Sequence, residues 1–176
     1  MLHEGIDFDF LFTGNESLIT RARNTSAAKF MDTRFDYLMF IDADIQFQPS
    51  DVQTLWNLRE EVCCGAYSMK RPDKPVSAWK DGKLVKLEEF TSPTDVDYAG
   101  TGFLMIHRSV FDRMKNVVMC YEEGDLKECW GFFDLMHHNG ISLSEDYAFC
   151  ERWRSLGGKI ILDPSIRLKH WGQYAY

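Results

Sequence analysis

Asp42 and Asp44 sit one residue apart, directly after five uncharged residues, 37 to 41. Carboxylates held that close repel each other and lose hydration, a cost that a hard divalent cation removes. Mg²⁺ or Mn²⁺ prefers oxygen ligands and keeps open positions, which the phosphate oxygens of a substrate can fill. The plainer reading is an acid pair capping the turn through Ile45 to Pro49. The same spacing recurs at Asp7/Asp9 and Asp95/Asp97, so spacing alone selects nothing. Asp7 and Asp9 fit the solvent side of an alternating edge strand, with Ile6, Phe8 and Phe10 inward. Asp95 and Asp97 lie in a polar stretch. Only Asp42 and Asp44 close an apolar central strand, where open α/β sheets bind ligands.

Other side chains could join that chemistry. His170, in "RLKHWG", is metal-competent and also follows an apolar strand, although a histidine packed beside Trp171 explains it equally well. Glu145 and Asp146 open a helix, where the macrodipole favours acids; a general base is the alternative. Gly100 and Gly102 flank Thr101 before a buried strand and let backbone approach a ligand. "CGAYSMKRP" pairs a small-residue strand end with Lys70 and Arg71, either phosphate-facing or solvated. Arg21, Asn24 and Ala28 share one helix face, where Arg21 could grip a phosphate or line the surface.

The elements that must position these groups alternate between strand-like and helix-like segments, which predicts an α/β layer fold on a largely parallel sheet. Residues 6–12 read as a first strand and 15–31 as a helix capped by Asn15. Continuous apolar runs at 36–42, "VCCGAYS" and 102–107 read as strands covered on both faces. Ser50 and Gln53 suggest a capping box for the helix 50–61. Residues 68–97 form a polar excursion with a hairpin at "DGK", and "HHNGIS" turns on Asn139-Gly140. The helix at "SEDYAFCERWRSLGG" starts at Ser144 and stops at Gly157-Gly158, and "KIILD" and "IRLKH" end the chain as strands.

Composition sets the outer limits. The 176 residues suit a single domain spanning 1–176, with 45% hydrophobic and 27% charged residues. No apolar run is long enough to cross a bilayer, and a net charge of −7 argues against a nucleic acid polymer as partner. Five cysteines without zinc spacing read as reduced, buried thiols in a cytoplasmic setting. No secretory leader is visible, and the glycan-acceptor patterns at Asn15 and Asn24 read as chance.

Taken in order, "RARNTSAAKF", "YLMFIDADIQFQP", "CGAYSMK", "YAGTGFLMIHRSVF", "SEDYAFCERWRSLGGKIILDP" and "LKHWG" resemble nucleotide-sugar glycosyltransferases of the GT-A fold, from about Asn15 to Gly172. The likeness is closest to viral and bacterial members, such as the chlorovirus domains that glycosylate a capsid protein. It implies a Rossmann-like α/β/α sandwich on a mixed, mostly parallel sheet. The chain opens near what looks like the second strand of that fold, so the first β-α unit is either absent or rebuilt.

The resemblance also implies roles. A Mn²⁺ or Mg²⁺ ion would bridge the diphosphate of a nucleotide-sugar donor, a UDP-sugar first, held by Asp42, Asp44 and His170. Around the donor would lie Arg21, Asn24, Ala43, Gly65, Ala66, Tyr67 and Lys70. Tyr98, Gly100, Thr101 and Gly102 would face the transferred sugar and the acceptor, a hydroxyl on a glycan or glycoprotein. In an inverting enzyme Asp146, with Glu145 beside it, would deprotonate that hydroxyl. A viral member would work in the host cytoplasm.

Two other classes compete. An acid pair after a strand also serves metal-dependent phosphohydrolases, although the chain lacks a DxDxT continuation. A non-catalytic carbohydrate-binding domain would use exposed aromatics, with Trp79, Trp130 and Trp171 as candidates.

Overall fold

The computed structural model of the chain describes residues 5–14, 16–71 and 75–172. The expected cap Asn15 lies outside them. The first half runs α1 (Ile19–Met31), β1 (Tyr37–Ile41), β2 (Ile45–Gln46), α2 (Pro49–Leu58), β3 (Val62–Ala66), β4 (Ala78–Lys80) and β5 (Lys83–Leu84). Then come β6 (Thr94–Asp95), β7 (Tyr98–Ala99), β8 (Phe103–His107), α3 (Arg108–Met114), β9 (Cys120–Glu123) and β10 (Leu126–Trp130). The chain closes with β11 (Met136–His138), β12 (Ile141–Leu143), α4 (Glu145–Ser155), β13 (Ile161–Arg167) and β14 (Lys169–His170).

The three apolar runs do become neighbouring strands. They lie in a five-stranded sheet of order β1-β8-β3-β13-β6. Direction is where the expectation fails. β8 runs antiparallel to both β1 and β3, β6 runs antiparallel to β13, and only β3 with β13 is parallel. The other strands form small separate sheets, β9-β10, β11-β12, β14-β2 and β5-β4-β7. A Rossmann-like GT-A sandwich on a mostly parallel sheet is therefore not what this chain builds. The apolar runs misled because any strand covered on both faces reads as continuously apolar, whichever way its neighbours run.

Cover comes from both sides. On one face Leu104 and Ile106 pack with Ala27 and Phe30 of α1, Phe111 of α3, and Phe149 and Trp153 of α4. On the other, Phe103 and Met105 pack with Leu55 of α2 and with Ile166 and Leu168. Successive residues of β8 thus feed opposite cores, as strand geometry requires.

Local expectations divide by how much they depended on neighbours. The hairpin turns form as read, with Asp81 and Gly82, and Asn139 and Gly140, all at positive φ. Ser144 precedes α4, and Gly157 ends that helix at φ 81°. Residues 6–12, however, form no strand, and Phe8 and Phe10 are exposed rather than inward. Strand β1 is an edge, not a central strand. At α2 the cap is Gln48, whose N–H donates to Asp51 at 2.7 Å, while Gln53 bonds Asn57 instead of capping. All five cysteines are free, and only Cys120 is exposed.

Candidate functional site

The end of β1 organises the site. Beyond the Ile41–Phe103 pair of the β1–β8 ladder, the Asp42 N–H donates to the Gly102 carbonyl at 3.0 Å. This fixes the first acid against the "GTG" segment. Gly102 N–H in turn donates to the Tyr67 hydroxyl at 3.0 Å. A Cβ on Gly102 would lie 2.9 Å from Tyr67 and 3.2 Å from Asp42 Oδ2, so the glycine permits this close seating. A Cβ on Gly100 would strike the Tyr67 and Ser77 hydroxyls at 2.1 and 2.4 Å.

The second acid faces a different wall. After the turn closed by Ile45 N–H on the Asp42 carbonyl, β2 pairs with β14, setting Ile45 opposite His170. The Trp171 N–H donates to the Asp44 carbonyl at 2.8 Å. His170 Nε2 then lies 3.5 Å from Asp44 Oδ2, and its Nδ1 lies 2.8 Å from the Ser68 carbonyl. Since a carbonyl only accepts, Nδ1 carries a proton, and the ring turns its Nε2 edge toward Asp44. Lys70 Nζ donates to the same carboxylate. Burial pushes the Asp44 carboxyl up, but Lys70 and His170 outweigh it and hold it below the usual range.

The acid pair of α4 meets the first acid through a residue that spacing did not single out. Arg23, 5% exposed, donates to Asp42 at 3.1 Å, and its Nε lies 3.8 Å from Glu145 Oε1. Burial, then the neighbouring Asp146, raises the Glu145 carboxyl, with Arg23 opposing. Burial likewise raises Asp146, against hydrogen bonds from the Ser144 hydroxyl and the Tyr147 N–H. Two carboxyls held up by burial suit proton transfer better than surface acids do.

Not every expected residue joins this group. Arg21 is tied to Glu16 at 2.7 Å, with Glu123 4.0 Å away. Asn24 is fully buried, donates to Tyr121 and Asp134, and accepts the Phe133 N–H, which links α1 to β9 and leaves no glycan-accepting surface. Gly65 and Ala66 are core; a Cβ on Gly65 would meet Ile166 at 2.5 Å. Tyr98 donates to Glu151 at 2.7 Å and lies beside the Tyr147 ring. Thr101 is 1% exposed with its hydroxyl unbonded, and Ala43 is exposed between the two acids. Trp79 and Trp130 are half-buried, and Trp171 is exposed. Arg23 did leave a signal: with Ala27 and Phe30 it forms an i, i+4, i+7 stripe, so it falls on the buried face of α1.

Among the described residues no three His, Cys, Asp or Glu side chains gather into a metal cluster. What the corner offers is smaller: Asp44, the oriented Nε2 of His170, and Asp42 on the same turn. Carboxylate and imidazole are donor types that a divalent ion such as Mn²⁺ accepts, but the three side chains do not converge on one point. They do not make a closed protein cage.

No helix among the described residues is long and apolar enough to cross a membrane. No protein-family model matches the chain, and no curated protein does. Among solved structures it is similar to the crystal structure of A197 from STIV, with a TM-score of 0.58 at 17% identity, over 89% of this chain and 69% of that one. At that identity the likeness bears on the fold alone.

Proposed function

We propose that the protein is a metal-dependent glycosyltransferase that moves a sugar from a nucleotide-diphosphate donor, a UDP-sugar first, to a hydroxyl of a glycan or glycoprotein, with inversion. The observation that carries this reading is Arg23, which bonds Asp42 at the strand end and lies 3.8 Å from Glu145 in the acid pair opening α4. Metal-holding groups beside a carboxyl with a raised pKa are what activated-donor transfer to a hydroxyl requires. When bound, the ion supplies Lewis-acid stabilisation of the departing diphosphate charge. Asp42, Asp44 and His170 are the residues that would hold it.

The chain's own groups then divide the work. Lys70, which donates to Asp44, would add positive charge on the side where the donor phosphates bind. Tyr67 and Gly102 fix the floor that seats Asp42. Asp146 takes the proton of the acceptor hydroxyl as its oxygen bonds to the anomeric carbon. The bond from that carbon to the diphosphate breaks, and the nucleoside diphosphate leaves with the electron pair. Five free cysteines support a reducing setting, the cytoplasm, or the host cytoplasm for a viral protein.

A panel of nucleotide sugars with Mn²⁺ tests the reading, with release of nucleoside diphosphate as the readout. Metal-dependent release that accelerates with a glycan acceptor is expected. Release of inorganic phosphate would replace transfer by hydrolysis of a phosphoester. No product and no thermal stabilisation with any donor would overturn the reading.

A further inference from the structure

Aromatic rings from β4, β7 and α4 meet beside the acid pair that opens α4. Trp79 of β4 stands opposite Tyr98 of β7, so both side chains rise from one face of that small sheet. Tyr147 of α4 receives the Trp79 indole N–H on its hydroxyl oxygen at 3.1 Å. The Tyr147 ring centre lies 5.3 Å from that of Tyr98. Polar groups rim the cluster. Tyr98 donates to Glu151 Oε2 at 2.7 Å, and His138, whose side chain is 42% exposed, sets Nε2 3.6 Å from Glu151 Oε1. The rings are half-buried, and Trp79 and Tyr147 lie outside both cores that cover the large sheet, so those two do not serve to fill a core. The cluster is also joined to the site. Asp146 accepts the Tyr147 N–H at 2.8 Å. Gly100 N–H donates to the Ser77 carbonyl at 2.9 Å and Ser77 N–H to the Tyr67 carbonyl at 3.0 Å, which ties the ends of β4 and β7 to the floor beneath Asp42.

We propose that Trp79, Tyr98 and Tyr147 form an acceptor subsite for a saccharide, with Glu151 and His138 holding its hydroxyls, so that a sugar, and not a protein side chain, presents the attacking hydroxyl to Asp146. The acceptor role rests on the transferase reading given above, whereas the binding of a saccharide stands without it and involves no ion. A pyranose carries C–H groups on its faces and hydroxyls around its rim. Aromatic rings take the first, and carboxylate and imidazole take the second. Trp79 spends its one polar group on Tyr147, so what it offers a ligand is apolar ring. The Tyr147 oxygen accepts that bond and keeps its own proton for a sugar hydroxyl. Because the rings are already tied to one another, little freedom is lost when a ligand settles on them. An extended peptide would dock through backbone bonds to a strand edge, but Trp79 sits on the middle strand of its sheet, β5-β4-β7.

Titration of the whole chain with methyl glycosides of glucose, galactose, mannose and N-acetylglucosamine tests the site directly. The Trp79 indole N–H, assigned by its loss in Trp79→Phe, should shift in the NMR spectrum and saturate with at least one of them. The indole N–H of Trp153, buried and bonded to the Lys159 carbonyl at 2.9 Å, should stay in place. With a nucleotide-sugar donor that glycoside should accept transfer, and Trp79→Ala should raise its KM about tenfold while the donor KM holds. Trp79→Phe keeps a ring and should stay within about threefold of the wild type. An unmoved Trp79 signal with every glycoside overturns the site, as does an unchanged saccharide KM in Trp79→Ala. Transfer confined to a peptide bearing serine or threonine also overturns it, and leaves the transferase reading standing. A saturating Trp79 shift with no transfer from any donor overturns the transferase reading and the acceptor role, and leaves the saccharide site standing. Should Trp79→Ala fail to fold, the wild-type signal decides.

Discussion

His170 Nε2 lies 3.5 Å from the Asp44 carboxylate, with the opposite ring nitrogen tied to the Ser68 carbonyl. That carbonyl fixes ring and tautomer together, so the imidazole costs little to organise as a ligand. His170→Ala should therefore weaken Mn²⁺ binding by at least about tenfold. His138, whose ring faces Glu151 at 3.6 Å, is the control, and His138→Ala should leave Mn²⁺ affinity unchanged. Calorimetric titration of both variants checks the pair. Equal effects would remove His170 from the metal site.

The structure separates two Asp-x-Asp pairs that share a spacing. Asp95 sits in β6, accepts Arg154 at 3.0 Å and the Ile160 N–H at 3.2 Å, and so ties β6 to the end of α4. Asp95→Ala should cost about 1 to 2 kcal/mol of stability by stranding that N–H, and lower the thermal midpoint by a few degrees. It should spare metal-dependent nucleoside diphosphate release. Asp44→Ala should do the reverse and abolish release with the fold intact. Parallel losses of activity in the two variants would show that the strand-end pair has no special role.

What was legible in the sequence tracks how local each cause is. Asp81-Gly82 and Asn139-Gly140 announce their turns because positive φ is a property of two residues. Asp42 and Asp44 announce a strand end because they follow five uncharged residues, although the structure leaves both side chains partly exposed, at 38% and 41%. Strand direction was not legible, since burial on both faces erases the alternation that marks a strand with one wet face. Nor was the meeting of His170 with Asp44, which depends on a pairing between β14 and β2, each two residues long and too short to carry a period. Arg21 shares a helix face with Asn24 and Ala28, whereas the stripe that turns inward beside the strand end runs through Arg23, Ala27 and Phe30. The two positions differ by about 200° around α1, and only the second faces the site.

Asp146 makes opposite demands on activity and stability. Burial raises its carboxyl, and a base acts only when ionised, so transfer should rise with pH through that raised value, above the ordinary carboxylate range. Asp146→Asn should lower transfer about 10² to 10⁴-fold while leaving donor affinity unchanged. For stability, a folded pKa above the unfolded one means that the neutral acid is favoured in the folded state. That contribution is whole below the unfolded value near 3.9 and is lost as pH rises through the folded one. The amide variant stays neutral throughout, so it should melt higher than the wild type at pH 7 and lose that advantage below about pH 4. Thermal melts at the two pH values measure it. Unchanged transfer in the variant would dismiss Asp146 as the base.

The floor beneath Asp42 offers the most local test. Tyr67 accepts the Gly102 N–H at 3.0 Å, while the Gly102 carbonyl accepts the Asp42 N–H at 3.0 Å. One glycine thus transmits the position of the tyrosine hydroxyl to the acid. Tyr67→Phe strands a buried N–H and should cost about 1 to 3 kcal/mol. Gly102→Ala keeps both backbone bonds but sets a methyl 2.9 Å from Tyr67 and 3.2 Å from Asp42 Oδ2, so the acid must shift by a few tenths of an ångström. Metal affinity should fall more in Gly102→Ala than in Tyr67→Phe, even though the tyrosine variant is the less stable of the two. Melting curves and Mn²⁺ titrations on both variants check the crossing. If affinity simply follows stability, the glycine serves packing and not the placement of Asp42.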